Sequence, residues 1–135
     1  MFVIDTSVTM AWCFEDEATE ATDVVLNRLG NEAAAVPAVW PLEVANVLLV
    51  AERRSRLTEA QASRFLELLA QLPIEVDDTP TDLISVVAAG RRHELSAYDA
   101  SYLVLAERLG TSLATLDEPL ARAANRAGIQ LLIGP

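Results

Sequence analysis

With 135 residues, twenty acids against ten basic side chains and a net charge of −10, the chain is a single domain able to bury a core unaided. It is a poor candidate for a protein that holds nucleic acid mainly by neutralising phosphates. Lysine is absent, which excludes a P-loop lysine, a Schiff-base lysine and the lysine of a receiver domain. The one cysteine, Cys13, rules out an internal disulfide and fits a reducing cytoplasm. The longest apolar run, Val44 to Ala51, holds Asn46 and falls well short of the ~20 residues of a membrane span. No basic region precedes the first apolar residues, so no signal peptide is expected. A hydrophobic fraction of 52% implies that some apolar surface meets another subunit or partner.

In chain order, residues 2–5 read as a strand, continuous in its apolar character and so buried on both faces. Residues 7–14 read as a short helix, Glu15-Asp16-Glu17 as a turn, and 18–29 as a helix stopped by Gly30-Asn31. Ala33 to Val39 reads as a strand whose interior is disturbed by Pro37. Pro41 opens a helix over 42–54 with Arg53 and Arg54 at its C-terminal end. Thr58 and Gln61 form a capping-box pattern for 59–72, closed by Pro73. Ile74 to Val76 is a strand, Thr81 to His93 a helix, and Ser96 caps a helix over 97–109 that stops at Gly110. A strand over 112–116, a helix over 118–127 ended by Gly128, and a strand over 129–133 complete the chain. This alternation predicts an α/β fold, a central parallel sheet of four to five strands flanked by about seven helices, in one domain spanning 1–135.

Four acids fall where strands turn into helices. Asp5 ends the first strand, Glu43 lies in the first turn after Pro41, Asp99 opens the helix capped by Ser96, and Asp117 follows the strand over 112–116. In a parallel sheet such corners share the edge outside the carboxyl ends of the strands, where ligands bind. Each acid has an ordinary explanation. Asp99 fits a capping-box partner of Ser96, Asp117 an N-cap, Glu43 the favourable end of a helix dipole, and Asp5 a turn. The conjunction points elsewhere. Asp5 and Asp117 are bracketed by apolar residues, in FVIDTSV and SLATLDEP, and burying unpaired carboxylates costs several kcal/mol unless a cation lies between them. Hard oxygen ligands of this kind suit Mg²⁺ or Mn²⁺. Elsewhere, His93 is expected to satisfy helix-terminal carbonyls, Cys13 to pack in the core, Arg91 and Arg92 to face solvent or phosphate, and Trp12 and Trp40 to serve the core or a partner contact.

The segments FVIDTSV at 2–8, PLEVANVL at 41–48, LSAYDASYLVLAERLG at 95–110 and TSLATLDEPLARAANRAGI at 111–129 resemble the PIN domain family, in particular the VapC-type ribonuclease toxins of bacterial toxin–antitoxin pairs. The resemblance runs the length of the chain. It implies a three-layer sandwich. Asp5, Glu43 and Asp99 match the three core acids of such domains, and Asp117 the more variable fourth. Ser7 and Thr115 match hydroxyl positions lining the site, and Asn46 a polar position one helical turn after the glutamate. The implied activity is Mg²⁺-dependent hydrolysis of RNA phosphodiesters, with Mn²⁺ able to substitute. Asp5, Asp99 and Asp117 would be metal ligands, and Glu43 either a ligand or the group that orients the attacking water. A cognate antitoxin is implied too, for which the apolar faces of 18–29 and 59–72 are candidate docking surfaces, together with a homodimer that would account for the apolar stretch 44–51.

Two other readings remain. A catalytically weak PIN-like module for RNA or protein binding would share the fold. A phosphatase of the haloacid-dehalogenase type also begins with a strand ending in aspartate, but it needs a second aspartate where Ser7 stands, and a lysine.

Overall fold

The computed structural model describes residues 1–135. Its elements follow the expected alternation: β1 (Phe2–Ile4), α1 (Thr6–Ala11), α2 (Glu20–Arg28), β2 (Ala34–Val36), α3 (Trp40–Arg53), α4 (Glu59–Ala70), β3 (Ile74–Val76), α5 (Leu83–His93), α6 (Ala97–Leu109), β4 (Leu113–Ala114), α7 (Glu118–Arg126) and β5 (Leu131–Ile133). The five strands form one parallel sheet in the order β3-β2-β1-β4-β5. The three inner strands are buried throughout, as a sheet covered by helices on both faces requires, whereas the edge strands β3 and β5 are partly open. No helix is long and apolar enough to cross a membrane.

Where the strands fall short of expectation, the cause is local. Pro37 has no N–H to give to the ladder, so β2 ends at Val36. β4 holds only two residues: Thr115 still gives its N–H to Ile133 but turns its hydroxyl to Asp5, Leu116 N–H donates to Ser7, and Asp117 N–H donates to Thr115 Oγ1. The helix signals hold more closely. Thr58 and Gln61 form the expected capping box, and Thr19 with Thr22 forms another that delays the start of α2 to Glu20. Gly110 adopts φ +63° to close α6, and the next N–H, that of Thr111, returns to the carbonyl of Ala106.

The topology places the site. From β1 the chain winds outward through β2 to β3, then returns to lay β4 on the other side of β1. The order therefore reverses between β1 and β4, the kind of switch point where a crevice opens at the carboxyl ends of the strands. Ile4 pairs in register with Ala114, so the residues just beyond them, Asp5 and Thr115, emerge side by side. α6 packs over β1 and β4, α5 and α7 pack against α6, and α3 packs against α1.

The core beneath this edge contains Phe2, Val3, Ile4, Leu103, Leu113 and Leu120, each 1% exposed or less. Leu103→Ala is expected to cost about 2–5 kcal/mol, the range for a large-to-small change in a packed core. Leu42, 73% exposed, should tolerate alanine within about 0.5 kcal/mol. Urea unfolding of the two variants checks both.

Candidate active site

Asp5 is the centre of the site. It is the N-cap of α1, its Oδ1 accepting the N–H of Val8 at 3.2 Å. Oδ1 also accepts Ser7 Oγ at 2.6 Å, and Oδ2 accepts Thr115 Oγ1 at 2.5 Å. Each hydroxyl is itself oriented by a backbone donor. Leu116 N–H donates to Ser7 Oγ and Asp117 N–H to Thr115 Oγ1, both at 2.9 Å. Two parallel relays thus run from the β4–α7 connection to one carboxylate at the end of β1. Three of the roughly four lone-pair directions of Asp5 are filled, and one stays open.

These donors favour the charged form of Asp5, yet they do not offset its burial. Desolvation, helped by the charge of Asp117, raises its pKa from 3.8 to about 6. Asp99, half-buried, is also raised, first by desolvation and then by Asp117 and Glu43. Those two couplings join Asp99 to the other acids across three elements. No arginine forms a salt bridge with any of the four; the ion pairs of the chain use Glu32, Asp16, Glu17, Asp77 and Glu118.

The capping alternative now divides. Asp117 is an N-cap, accepting Leu120 N–H through Oδ2 at 3.0 Å, which leaves Oδ1 open. Asp99 is not the capping-box partner of Ser96. Ser96 accepts the N–H of Asp99 at 3.1 Å, but the reciprocal bond seen in α2 and α4 is not formed. Glu43 lies in the first turn of α3, as the dipole reading expects, and contributes nothing to capping, since the helix has no side-chain cap. Its Oε1 accepts Tyr102 Oη at 2.5 Å and Thr6 Oγ1 at 3.0 Å.

The position of Glu43 is set by a contact that composition and spacing did not reveal. Trp40 opens α3, and its Nε1–H donates to Thr9 Oγ1 at 3.0 Å, which in turn donates to the carbonyl oxygen of Asp5 at 3.1 Å. The first turn of α3 is thereby fastened to the first turn of α1. Thr6, Thr9 and Tyr102 are the site residues that sequence reasoning missed. Thr6 and Thr9 lie in the segment already marked by Asp5 and Ser7, and Tyr102 lies one helical turn after Asp99, so proximity to the acids was the available signal. Asn46, in contrast, is exposed on α3 with no hydrogen bond to the acids.

Other expectations resolve away from the site. His93 Nδ1 accepts Arg126 Nε–H at 3.4 Å instead of capping α5, whose last turn is closed by Glu94 in the left-handed region. Trp12 Nε1 donates to the carbonyl of Thr22, and Trp40 is buried, so both indoles are structural anchors. Asp16 is paired with Arg56 and Asp77 with Arg108.

The donor set is chemically suited to a hard divalent cation: four carboxylates, two flanking hydroxyls, no lysine and no paired arginine. Open lone pairs remain on every acid. As they stand, no three of the carboxylates are close enough to share one ion. Residues and location fit the group, while the coordination shell itself is not closed.

Acids gathered at the switch point of a short parallel sheet are the hallmark of a recognisable class, and a family model for the PIN domain matches residues 2–126. The chain belongs to the PIN domain family and, within it, to the group of the VapC ribonucleases. It is 32% identical over 121 residues to ribonuclease VapC3 of Pyrobaculum aerophilum, covering 88% of this chain and 91% of that protein. It is 37% identical over 107 residues to ribonuclease VapC3 of Mycobacterium tuberculosis, covering 78% and 75%. The crystal structure of PAE2754 from Pyrobaculum aerophilum is similar at TM-score 0.71 and 26% identity, over 90% of this chain and 84% of that one. That of FitAcB from Neisseria gonorrhoeae shares the fold at TM-score 0.66 and 18% identity, over 97% and 96%.

Two outcomes follow from the electrostatics. A carboxylate whose pKa is higher folded than unfolded binds its proton more tightly in the native state. Its contribution is therefore full below pH 4 and lost as the pH rises through 6. In chelator, the stability of Asp5→Asn relative to wild type should rise across that window, by on the order of 3 kcal/mol; chemical denaturation at pH 4, 5, 6 and 7 measures it. Asp99→Asn, which removes a desolvated and repelled charge without removing a cap, should melt at or above wild type in chelator at neutral pH, as read by calorimetry.

Proposed function

We propose that the chain is a Mg²⁺- or Mn²⁺-dependent endoribonuclease and the toxin of a toxin–antitoxin pair in the cytoplasm. The observation that carries this is the desolvated Asp5, coupled to Asp117, with Asp99 coupled in turn to Asp117 and Glu43, and no salt bridge to neutralise any of the four. The names of the VapC3 relatives support RNA as substrate.

A divalent cation held there would neutralise charge at the scissile phosphate and make water a better nucleophile at neutral pH. The protein's own residues do the rest. Asp5, fixed through both oxygens by Ser7 and Thr115, is the ligand whose direction cannot drift. Asp99 and Asp117 complete the oxygen set through their open lone pairs. Glu43, with one oxygen engaged by hydroxyls and the other open, either ligates or orients the attacking water. Asn46, exposed one turn along α3 and without a hydrogen bond to the acids, would be free for substrate.

The groove between α3 and α4, about 610 Å³ and lined mainly by Trp40, Val44, Leu48, Leu49, Leu66 and Leu69, suits an apolar segment of an antitoxin. The helix faces first considered for that role are mixed: Val25, Leu29 and Leu69 belong to the core, while Val24, Leu66 and Leu68 are exposed. Within α3, Val44 and Leu48 are core as well, so a homodimer would have to use the exposed Leu42 and Leu49.

One observation favours a catalytically weak PIN-like module instead: the absence of three carboxylates close enough to share an ion. The two readings part on activity. The isolated protein should cleave RNA with Mg²⁺ or Mn²⁺ and lose that activity in excess EDTA, with Mn²⁺ effective at lower concentration because Mg²⁺ dehydrates reluctantly. Asp99→Asn should reduce cleavage by about a hundredfold or more, beyond the loss typical of residues that only support a ligand. Expressed alone, wild type should arrest bacterial growth and Asp99→Asn should not. Cleavage that persists undiminished in chelator sinks the metal mechanism.

A further inference from the structure

Glu43 is the one site acid whose carboxylate is held entirely by side-chain hydroxyls from other elements. Thr6 Oγ1, Tyr102 Oη and Glu43 Oε1 form a closed triangle with sides of 3.0, 2.5 and 2.9 Å. Both hydroxyls meet the same oxygen, Oε1, and no hydrogen bond reaches Oε2. Tyr102 is 1% exposed. Burial, and next the bond to Glu43, hold its phenol well above the usual tyrosine range, so it is a donor at any physiological pH.

The sources of the two hydroxyls matter as much as the bonds. Thr6 follows Asp5 directly in the chain. Tyr102 is three residues beyond Asp99 on α6, hence on the adjoining turn. Each corner of the triangle therefore belongs to a different element that carries a site acid: α1 with Asp5, α3 with Glu43, α6 with Asp99. A buried tyrosine needs one partner for its hydroxyl, and any backbone carbonyl would serve. Here that hydroxyl, together with a second one, is directed at an acid of the site.

We propose that Thr6 and Tyr102 are positioning residues that clamp Glu43 by Oε1, so that Glu43 meets the cation or the attacking water through Oε2 alone. The inference rests on the nuclease reading of the site. The clamp restricts the rotamers of a side chain with three rotatable bonds, and it excludes bidentate coordination by Glu43. It also joins α1, α3 and α6 at the site, beside the Trp40–Thr9 link that already ties α3 to α1. Neither residue touches the reacting atoms.

The test uses the full chain and Mn²⁺ itself as probe. Mn²⁺ affinity is measured by titration calorimetry, and RNA cleavage in parallel, for wild type, Tyr102→Phe, Thr6→Val, Thr6→Ser, Glu43→Gln and the double variant Tyr102→Phe/Glu43→Gln. Tyr102→Phe and Thr6→Val keep shape and remove one hydroxyl each. Each should weaken Mn²⁺ binding, or cleavage at saturating Mn²⁺, by about tenfold to a hundredfold, the usual cost of losing a group that orients a ligand. Thr6→Ser should restore most of the loss. Once Glu43 is replaced, adding Tyr102→Phe should change either quantity by no more than about twofold, because the pair acts through one group. Tyr102→Phe losing the same factor in the Glu43→Gln background overturns the clamp, as do single variants indistinguishable from wild type. Should Tyr102→Phe fail to melt cooperatively, the Thr6→Val and Thr6→Ser pair decides alone, since Thr6 lies outside the core. A wild type that binds Mn²⁺ while the clamp variants match it refutes the clamp only. A wild type that neither binds Mn²⁺ nor cleaves RNA refutes the nuclease reading and the clamp with it.

Discussion

The structure turns on one buried carboxylate. Asp5 caps α1, terminates β1 and receives two relays of hydrogen bonds from the β4–α7 connection. Its neighbours in the sequence are committed to the same purpose: Ser7 and Thr9 turn their hydroxyls to its carboxylate and carbonyl, and Thr6 turns toward Glu43. The short length of β4 is a consequence. Residues that would extend the ladder instead place Thr115 and Asp117 beside Asp5. Local β structure is given up where the site needs its backbone donors.

Burial makes this arrangement costly in the absence of a cation. Hydrogen bonds to an ionised group are each worth about 1.5–3 kcal/mol, and three of them still leave Asp5 with a raised pKa. The remaining acids add repulsion rather than relief. Proteins that keep such strain ordinarily do so at functional sites, where local rules are broken and compensated elsewhere. Here the compensation is an aliphatic core directly beneath the site, with Val3, Ile4, Leu103 and Leu113 all fully buried.

Much of this was legible in the sequence, for identifiable reasons. Strand–helix alternation is read from continuous apolar runs and cap signals, and Thr58, Ser96, Gly110 and Gly128 act where their chemistry requires. The acids were legible because each occupies a strand-to-helix corner. Less visible were contacts between residues distant in the chain. Trp40 with Thr9 is separated by 31 positions and Tyr102 with Glu43 by 59. A tyrosine in an apolar helix reads as core until its hydroxyl is seen to meet a carboxylate. Strand ends are less legible for a related reason, since Leu116 and Asp117 give their N–H groups to side-chain hydroxyls that local pattern does not show. His93 reads locally as a cap for helix-terminal carbonyls, whereas a tertiary partner, Arg126, donates to its ring nitrogen.

The four acids are held to very different degrees, and this ranks what each can do. Asp5 has donors on both oxygens and Glu43 has two on one oxygen; Asp117 has a single backbone donor, and Asp99 is fastened by its backbone N–H rather than its carboxylate. A cation gathering these groups meets the least resistance from Asp99 and from the open oxygen of Asp117. Moving Asp5 or Glu43 would break charge-assisted bonds that the ion would then have to replace. The absence of a closed three-carboxylate shell is consistent with that division. A fixed half is built into α1 and α3, and a less tethered half sits at the first turns of α6 and α7, where only the cap bond of Asp117 to Leu120 holds a carboxylate. An ion bound here would be located by the rigid side, which the tethering by Thr6, Ser7, Tyr102 and Thr115 holds in place.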